Sequence, residues 1–138
     1  QIGETCVYLY TKESFWYKLI NTVLRQVQKV TADQVKTLGP FCYLLSSDLY
    51  KIKTNDASTV YRGLTLTDEQ RQGFMQPKIK FTAFTSTSKK REKAEKFGNT
   101  LLIIDLNVKH GIHTADNIRC GAIISHLSHY PSEEEYLI

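Results

Sequence analysis

The apolar period of this chain changes once, near residue 58, and that change limits the folds open to it. From Glu13 to Val30, Phe15, Trp16, Leu19, Ile20, Val23, Leu24, Val27 and Val30 recur at steps of three and four, the stripe of an amphipathic helix. Thr31 and Gln34 have capping-box spacing, which predicts a second helix with Val35, Leu38, Phe41, Leu44, Leu45, Leu49 and Ile52 on its inner face. Gly39-Pro40 predicts a break or restart in that helix, because proline disfavours helical conformation in the residue before it. Both stripes read as core-packing faces.

Past residue 58 the pattern is short and β-branched. Strands are expected at Ser58–Tyr61, Lys78–Phe84, Thr100–Leu106 (a central strand by its apolar run), Gly121–Leu127 and Glu133–Ile138. Short helices are expected after Thr67, stopping at Gly73, and from Lys89 to Phe97, capped by Ser88 and closed by Gly98. Lys109–Arg119 reads as a loop, and Tyr130-Pro131-Ser132 as a turn. Helices first and strands later make an α+β fold rather than an alternating parallel sheet. At 138 residues the chain fits one domain, helical over residues 1–57 and strand-rich over residues 58–138.

Charge and motifs remove several functions. The net charge of +4 is mild: it favours phosphate-bearing ligands, but Lys89-Lys90-Arg91 is interrupted by Glu92 and Glu95 and lacks the clustering of a nucleic-acid binder. The longest uncharged apolar stretch, Leu101–Ile104, is far short of the ~18 residues of a membrane helix, and no basic-then-apolar leader opens the sequence. Cys6, Cys42 and Cys120 show no metal spacing and read as free thiols, which leans toward a reducing, intracellular setting. His110, His113, His126 and His129 read as solvated or hydrogen-bonding groups, so no metal is expected. Neither a dinucleotide fingerprint, a P-loop nor a zinc-protease motif is present.

Three segments carry possible chemistry. Arg62 follows Val60-Tyr61 at a strand end and precedes Gly63, where a guanidinium can fork onto phosphate. Thr85-Ser86-Thr87-Ser88 sets four hydroxyls between a strand and a helix, and one cap accounts for only one of them. Glu133-Glu134-Glu135 opens a strand-like end. Strand alternation would put Glu133 and Glu135 on one face, about 7 Å apart, and Glu134 on the other. Taken singly, each has a plain explanation: a surface ion pair, a helix cap, a charged edge strand.

Together and in this order, Tyr61-Arg62-Gly63, Ser86-Thr87-Ser88 and Glu133-Glu134-Glu135 resemble the arginine–serine–glutamate class of mono-ADP-ribosyltransferases. The flanks resemble that family too, from Val60 to Leu64, from Phe84 through Phe97-Gly98, and from Gly121 to Ile138. The resemblance implies N-terminal helices packed on a split β-sandwich that binds NAD as cosubstrate. It implies transfer of ADP-ribose to arginine side chains of proteins, with nicotinamide released. By the same likeness Arg62 would grip an NAD phosphate and Gly63 would offer backbone contacts to nicotinamide. Ser86 would hold the catalytic glutamate and the ribose, while Tyr61, Thr87 and Ser88 would support the site and Phe97 pack on nicotinamide. Glu135 would be the catalytic glutamate and Glu133 the acid that directs transfer to arginine. Family members usually continue into at least one more strand, so a shortened sheet edge is implied. The paired cysteines of secreted vertebrate members are not suggested here. An NAD glycohydrolase on the same fold and a non-catalytic NAD-binding module are the alternative readings.

Overall fold

The computed structural model describes residues 2–12, 15–26, 29–52, 59–75, 81–106 and 121–138. Three helices open the chain: α1 (Ile2–Thr11), α2 (Phe15–Arg25) and α3 (Ala32–Lys51). The apolar stripe did not announce α1, and α2 ends short of the expected Val30. The Thr31–Gln34 capping box is made reciprocally, side chain to backbone in both directions.

The break expected at Gly39-Pro40 does not occur: α3 runs through Pro40. A proline inside a helix costs about 3 kcal/mol, whereas full burial of a leucine side chain contributes about 1.5–3 kcal/mol. Three leucines flanking Pro40, one before it and two after, are buried. Leu38 packs with Ile20 and Val23 of α2, and Leu45 and Leu49 pack with Cys6, Val7 and Tyr10 of α1. Packing therefore overrides the local preference.

The strands are β1 (Thr59–Leu64), β2 (Ser86–Ser88), β3 (Thr100–Asp105), β4 (Ala122–Ile123) and β5 (Glu135–Leu137). They form one antiparallel sheet in the order β3-β1-β2-β5-β4. The fold is α+β, as expected, with differences in detail. Among the described residues β3 lies at a sheet edge, not at its centre, and Ile103 on it is 59% exposed. The Lys78–Phe84 strand is not found over 81–84, and 78–80 lie outside the described residues; regular pairing starts only where Thr85 exchanges backbone hydrogen bonds with Ile138. The 121–127 strand shrinks to Ala122–Ile123, because the chain turns where the Leu127 N–H bonds back to the Ile124 carbonyl. The expected loop 109–119 and Cys120 lie outside the described residues.

Two short helices complete the frame. In α4 (Asp68–Phe74) Gly73 lies inside, not beyond, the last turn. α5 is only Arg91–Ala94, with Lys90 rather than Ser88 as its N-cap residue. Gly98 ends this region at φ 81°, a left-handed conformation suited to glycine, and the Asn99 N–H then bonds to the Leu64 carbonyl of β1.

One sheet face packs on α1 and α3 through Ala122, Ile124 and Leu137; Val60 and Tyr136 form a separate cluster with Ile104 and Ile123. Tyr10 joins helices to strands. Asn21 Nδ2 donates to its hydroxyl at 2.9 Å, and the hydroxyl donates to the Phe84 carbonyl at 3.2 Å. Burial pushes this phenol's pKa well up from its ordinary value.

Candidate active site

The sheet order brings the three motif segments onto neighbouring strands. Tyr61 on β1 faces Ser88 on β2, and Ser88 faces Glu135 on β5. A cavity of about 460 Å³ opens over them, within the ~300–1,000 Å³ range of small-molecule sites. Its lining includes each residue to which the resemblance gave a role: Tyr61, Arg62, Gly63, Ser86, Thr87, Ser88, Phe97, Glu133 and Glu135.

Identifiable contacts hold these residues. Arg62 Nη1 donates to the Ser86 carbonyl at 2.8 Å, fixing the guanidinium between β1 and β2. Thr87 Oγ1 donates to the Tyr136 carbonyl at 2.6 Å, which locks β2 to β5. Ser88 Oγ accepts the Lys90 N–H at 3.1 Å and donates to the Glu133 carbonyl at 3.3 Å. A Cβ on Gly63 would lie 2.0 Å from the Ala94 carbonyl oxygen and 2.3 Å from that of Phe97. Only glycine lets the 94–97 segment close on β1, and that closure seats the half-exposed Phe97 ring at the cavity.

Glu135 is buried in β5, and its Oε2 lies 3.4 Å from the Ser128 hydroxyl. Glu133 departs from expectation. It ends a 3-10 turn, Pro131–Glu133, and is not on the strand. Proline's fixed φ favours the turn, and Glu134 joins turn to strand at φ 48°, ψ 47°. The exposed Glu133 and the buried Glu135 nevertheless line the same cavity, whereas Glu134 does not. Its carboxylate pairs with Lys90 Nζ and lies 3.7 Å from Lys93 Nζ. The Lys90 hydrogen bond holds it below the usual carboxylate range and raises the Lys90 ammonium in turn.

Sequence reading missed Thr11, Tyr17, Lys93, Lys96, Tyr130 and Ser132, which also line the cavity. Thr11 lies at the end of α1 and accepts the His129 N–H at 2.9 Å, while Tyr8 Oη lies 3.0 Å from His129 Nδ1. The His129 ring meets Tyr8 and Tyr130 edge-on. Helix α1 thus sets the loop that presents Tyr130. The available signal was the Val7, Tyr10, Thr11 spacing of a helix face.

The lining combines Arg62, Lys93 and Lys96 with Glu133 and Glu135. Cations suit phosphates, and placed carboxylates suit a positive charge that develops during bond cleavage. Among the described residues no group of three or more His, Cys, Asp or Glu could hold a metal ion, and no helix is long and apolar enough to cross a membrane. Cys6 and Cys42 are free thiols whose pKa burial raises.

Comparisons with known proteins bear on the family and the fold. A family model described as NAD:arginine ADP-ribosyltransferase matches residues 3–138. Among solved structures, the eukaryotic mono-ADP-ribosyltransferase ART2.2 superposes with a TM-score of 0.70 at 26% identity, over 99% of this chain and 55% of that one. The ADP-ribosyltransferase HopU1 of Pseudomonas syringae pv. Tomato superposes with a TM-score of 0.74 at 22% identity, over 99% and 65%. Exoenzyme S of Pseudomonas aeruginosa, solved with human 14-3-3 protein beta and Carba-NAD, gives a TM-score of 0.64 at 20% identity, over 99% and 60%. The present chain therefore spans less than two thirds of each of these structures. No curated protein sequence matches it.

Proposed function

This chain belongs to the NAD:arginine ADP-ribosyltransferase family, and from that premise we propose that it transfers ADP-ribose from NAD to an arginine side chain of a protein and releases nicotinamide. The observation that carries this reading is the convergence of Arg62, Ser86, Glu133 and Glu135 on one cavity. In the proposed reaction the C1′–N bond of NAD breaks and its electron pair leaves with nicotinamide. The ribose becomes oxocarbenium-like, and the buried Glu135 carboxylate stabilises that charge. Arg62, fixed by the Ser86 carbonyl, holds the pyrophosphate; Lys93 and Lys96 add charge to the same lining. Phe97 and the Gly63 backbone receive the nicotinamide.

An arginine guanidinium has a pKa above ~12 and is a poor nucleophile while protonated. Glu133, in the same cavity, orients it and accepts a proton as a guanidine nitrogen attacks C1′. The chemistry of the lining fits NAD: cations for two phosphates, an aromatic ring for the base, carboxylates for the ribose.

The test is nicotinamide release from NAD by wild type and Glu135→Gln, with and without agmatine as a small guanidine. Wild type is expected to release nicotinamide and form ADP-ribosyl-agmatine. Glu135→Gln should lose about 10²–10³ in rate, the usual worth of a preorganised electrostatic contact. Release without the agmatine product would favour a glycohydrolase, and no release by folded wild type would leave a non-catalytic NAD-binding module.

A further inference from the structure

Glu134 is the one acid of its triplet that does not line the cavity, yet it carries the most unusual backbone among the described residues. It is the only described non-glycine residue with positive φ, at 48°. It stands between the 3-10 turn that ends at Glu133 and the strand that begins at Glu135. Its N–H bonds back to the Pro131 carbonyl at 3.4 Å, so the turn closes on it. Its carboxylate reaches Lys90, the N-cap residue of α5, and Lys93 within that helix. The residue before it is held from the other side, where the Glu133 carbonyl accepts the Ser88 hydroxyl.

Glu135 is placed by strand register opposite Ser88. Glu133 has no strand to place it, so its reach into the cavity depends on the joint that follows it. We propose that Glu134 is a positioning residue: its left-handed backbone aims the Glu133 carboxylate into the cavity that β5 has already given to Glu135. Resting on the transferase reading above, Glu134 then sets the division between transfer to guanidine and loss of ADP-ribose to water. Exposed ion pairs contribute little, so the backbone carries the effect and the lysine contacts add to it. Asparagine tolerates left-handed conformation and a β-branched residue does not.

Wild type, Glu134→Asn, Glu134→Ala and Glu134→Val are compared for agmatine ADP-ribosylation, for NAD hydrolysis without agmatine, and by crystallography. Glu134→Asn should keep the transfer-to-hydrolysis ratio within about threefold, because it keeps the backbone. Glu134→Val should lower that ratio about tenfold or more, in line with what a misplaced reacting group costs. Its crystal structure should show Glu133 turned out of the cavity with Glu135 in place. Glu134→Ala, which disfavours positive φ less, should fall between them and carries the test if the valine variant does not fold. Equal losses of both reactions, or an unchanged ratio with Glu133 still in the cavity, would overturn the inference. A wild type without nicotinamide release would sink the catalytic reading alone, since the crystal structures judge the aim of Glu133 independently.

Discussion

At the scale of single residues, the two glutamates of the proposed site are held by different means. Glu135 is buried and fixed by strand register, while Glu133 is carried on a turn. Glu133→Gln is therefore expected to cut agmatine ADP-ribosylation by about 10² or more, within the range for loss of a general base, and to leave NAD hydrolysis within a few-fold of wild type. Product analysis by mass spectrometry reads both. Equal loss of the two reactions would show that Glu133 takes part in cleavage of NAD. The residues facing the cavity were legible in the sequence where a motif names them: Arg62, the Ser86–Ser88 run and Glu135. The route by which Glu133 arrives was not, because strand alternation and a turn both bring it to the same side. Pro131 two residues earlier was the local sign of the turn. Lys93 carried no sign at all, since an isolated side chain joins a cavity only through distant packing.

Elements show where local preference won and where it lost. Pro40 is exposed and sits inside α3, which continues because leucines on either side of it are buried. Pro40→Ala should therefore restore a helical N–H at no loss of packing and stabilise the protein by about 1–3 kcal/mol, read by urea denaturation. An unchanged midpoint would mean that the rigid ring stabilises as much through the unfolded chain as it costs in the helix. The α5 region makes the opposite case. It is a single turn, held on β1 by a close approach that Gly63 permits. Gly63→Ala should force the 94–97 segment outward, cost about 1–3 kcal/mol of stability as overpacking does, and raise the KM for NAD by displacing Phe97. An alanine variant with wild-type KM would remove Phe97 from the binding surface. The sequence marked both glycines that matter here, Gly63 and Gly98, because each has a steric reason that a local motif announces. It overstated β-structure at 81–84 and 121–127, where alternation was present but no partner strand paired along its whole length.

For the molecule as a whole, Tyr10 links three regions: α1, α2 through Asn21, and the approach to β2 through Phe84. Burial, assisted by the nearby Tyr17 and Glu135, raises its pKa in the folded state against the opposing Asn21 hydrogen bond. In the unfolded chain it ionises near pH ~10. Below that pH both states hold the proton and the stabilisation is complete; above it only the unfolded state ionises, and the stabilisation is lost as pH rises. Thermal melting should therefore fall more steeply above about pH 10 in wild type than in Tyr10→Phe. At neutral pH Tyr10→Phe should cost about 1–3 kcal/mol for the polar groups left unpaired; parallel melting curves for the two proteins would place the alkaline sensitivity elsewhere. The register of β5 has one more consequence, and it concerns time. A ribosome delivers α1, β1 and β2 well before residue 135, so the buried carboxylate is added to a surface whose other pieces have already been made. Every nascent chain shorter than that lacks the acid on which bond cleavage is proposed to depend. Under that proposal, bond cleavage waits on the last strand of the sheet, whatever order the earlier elements fold in.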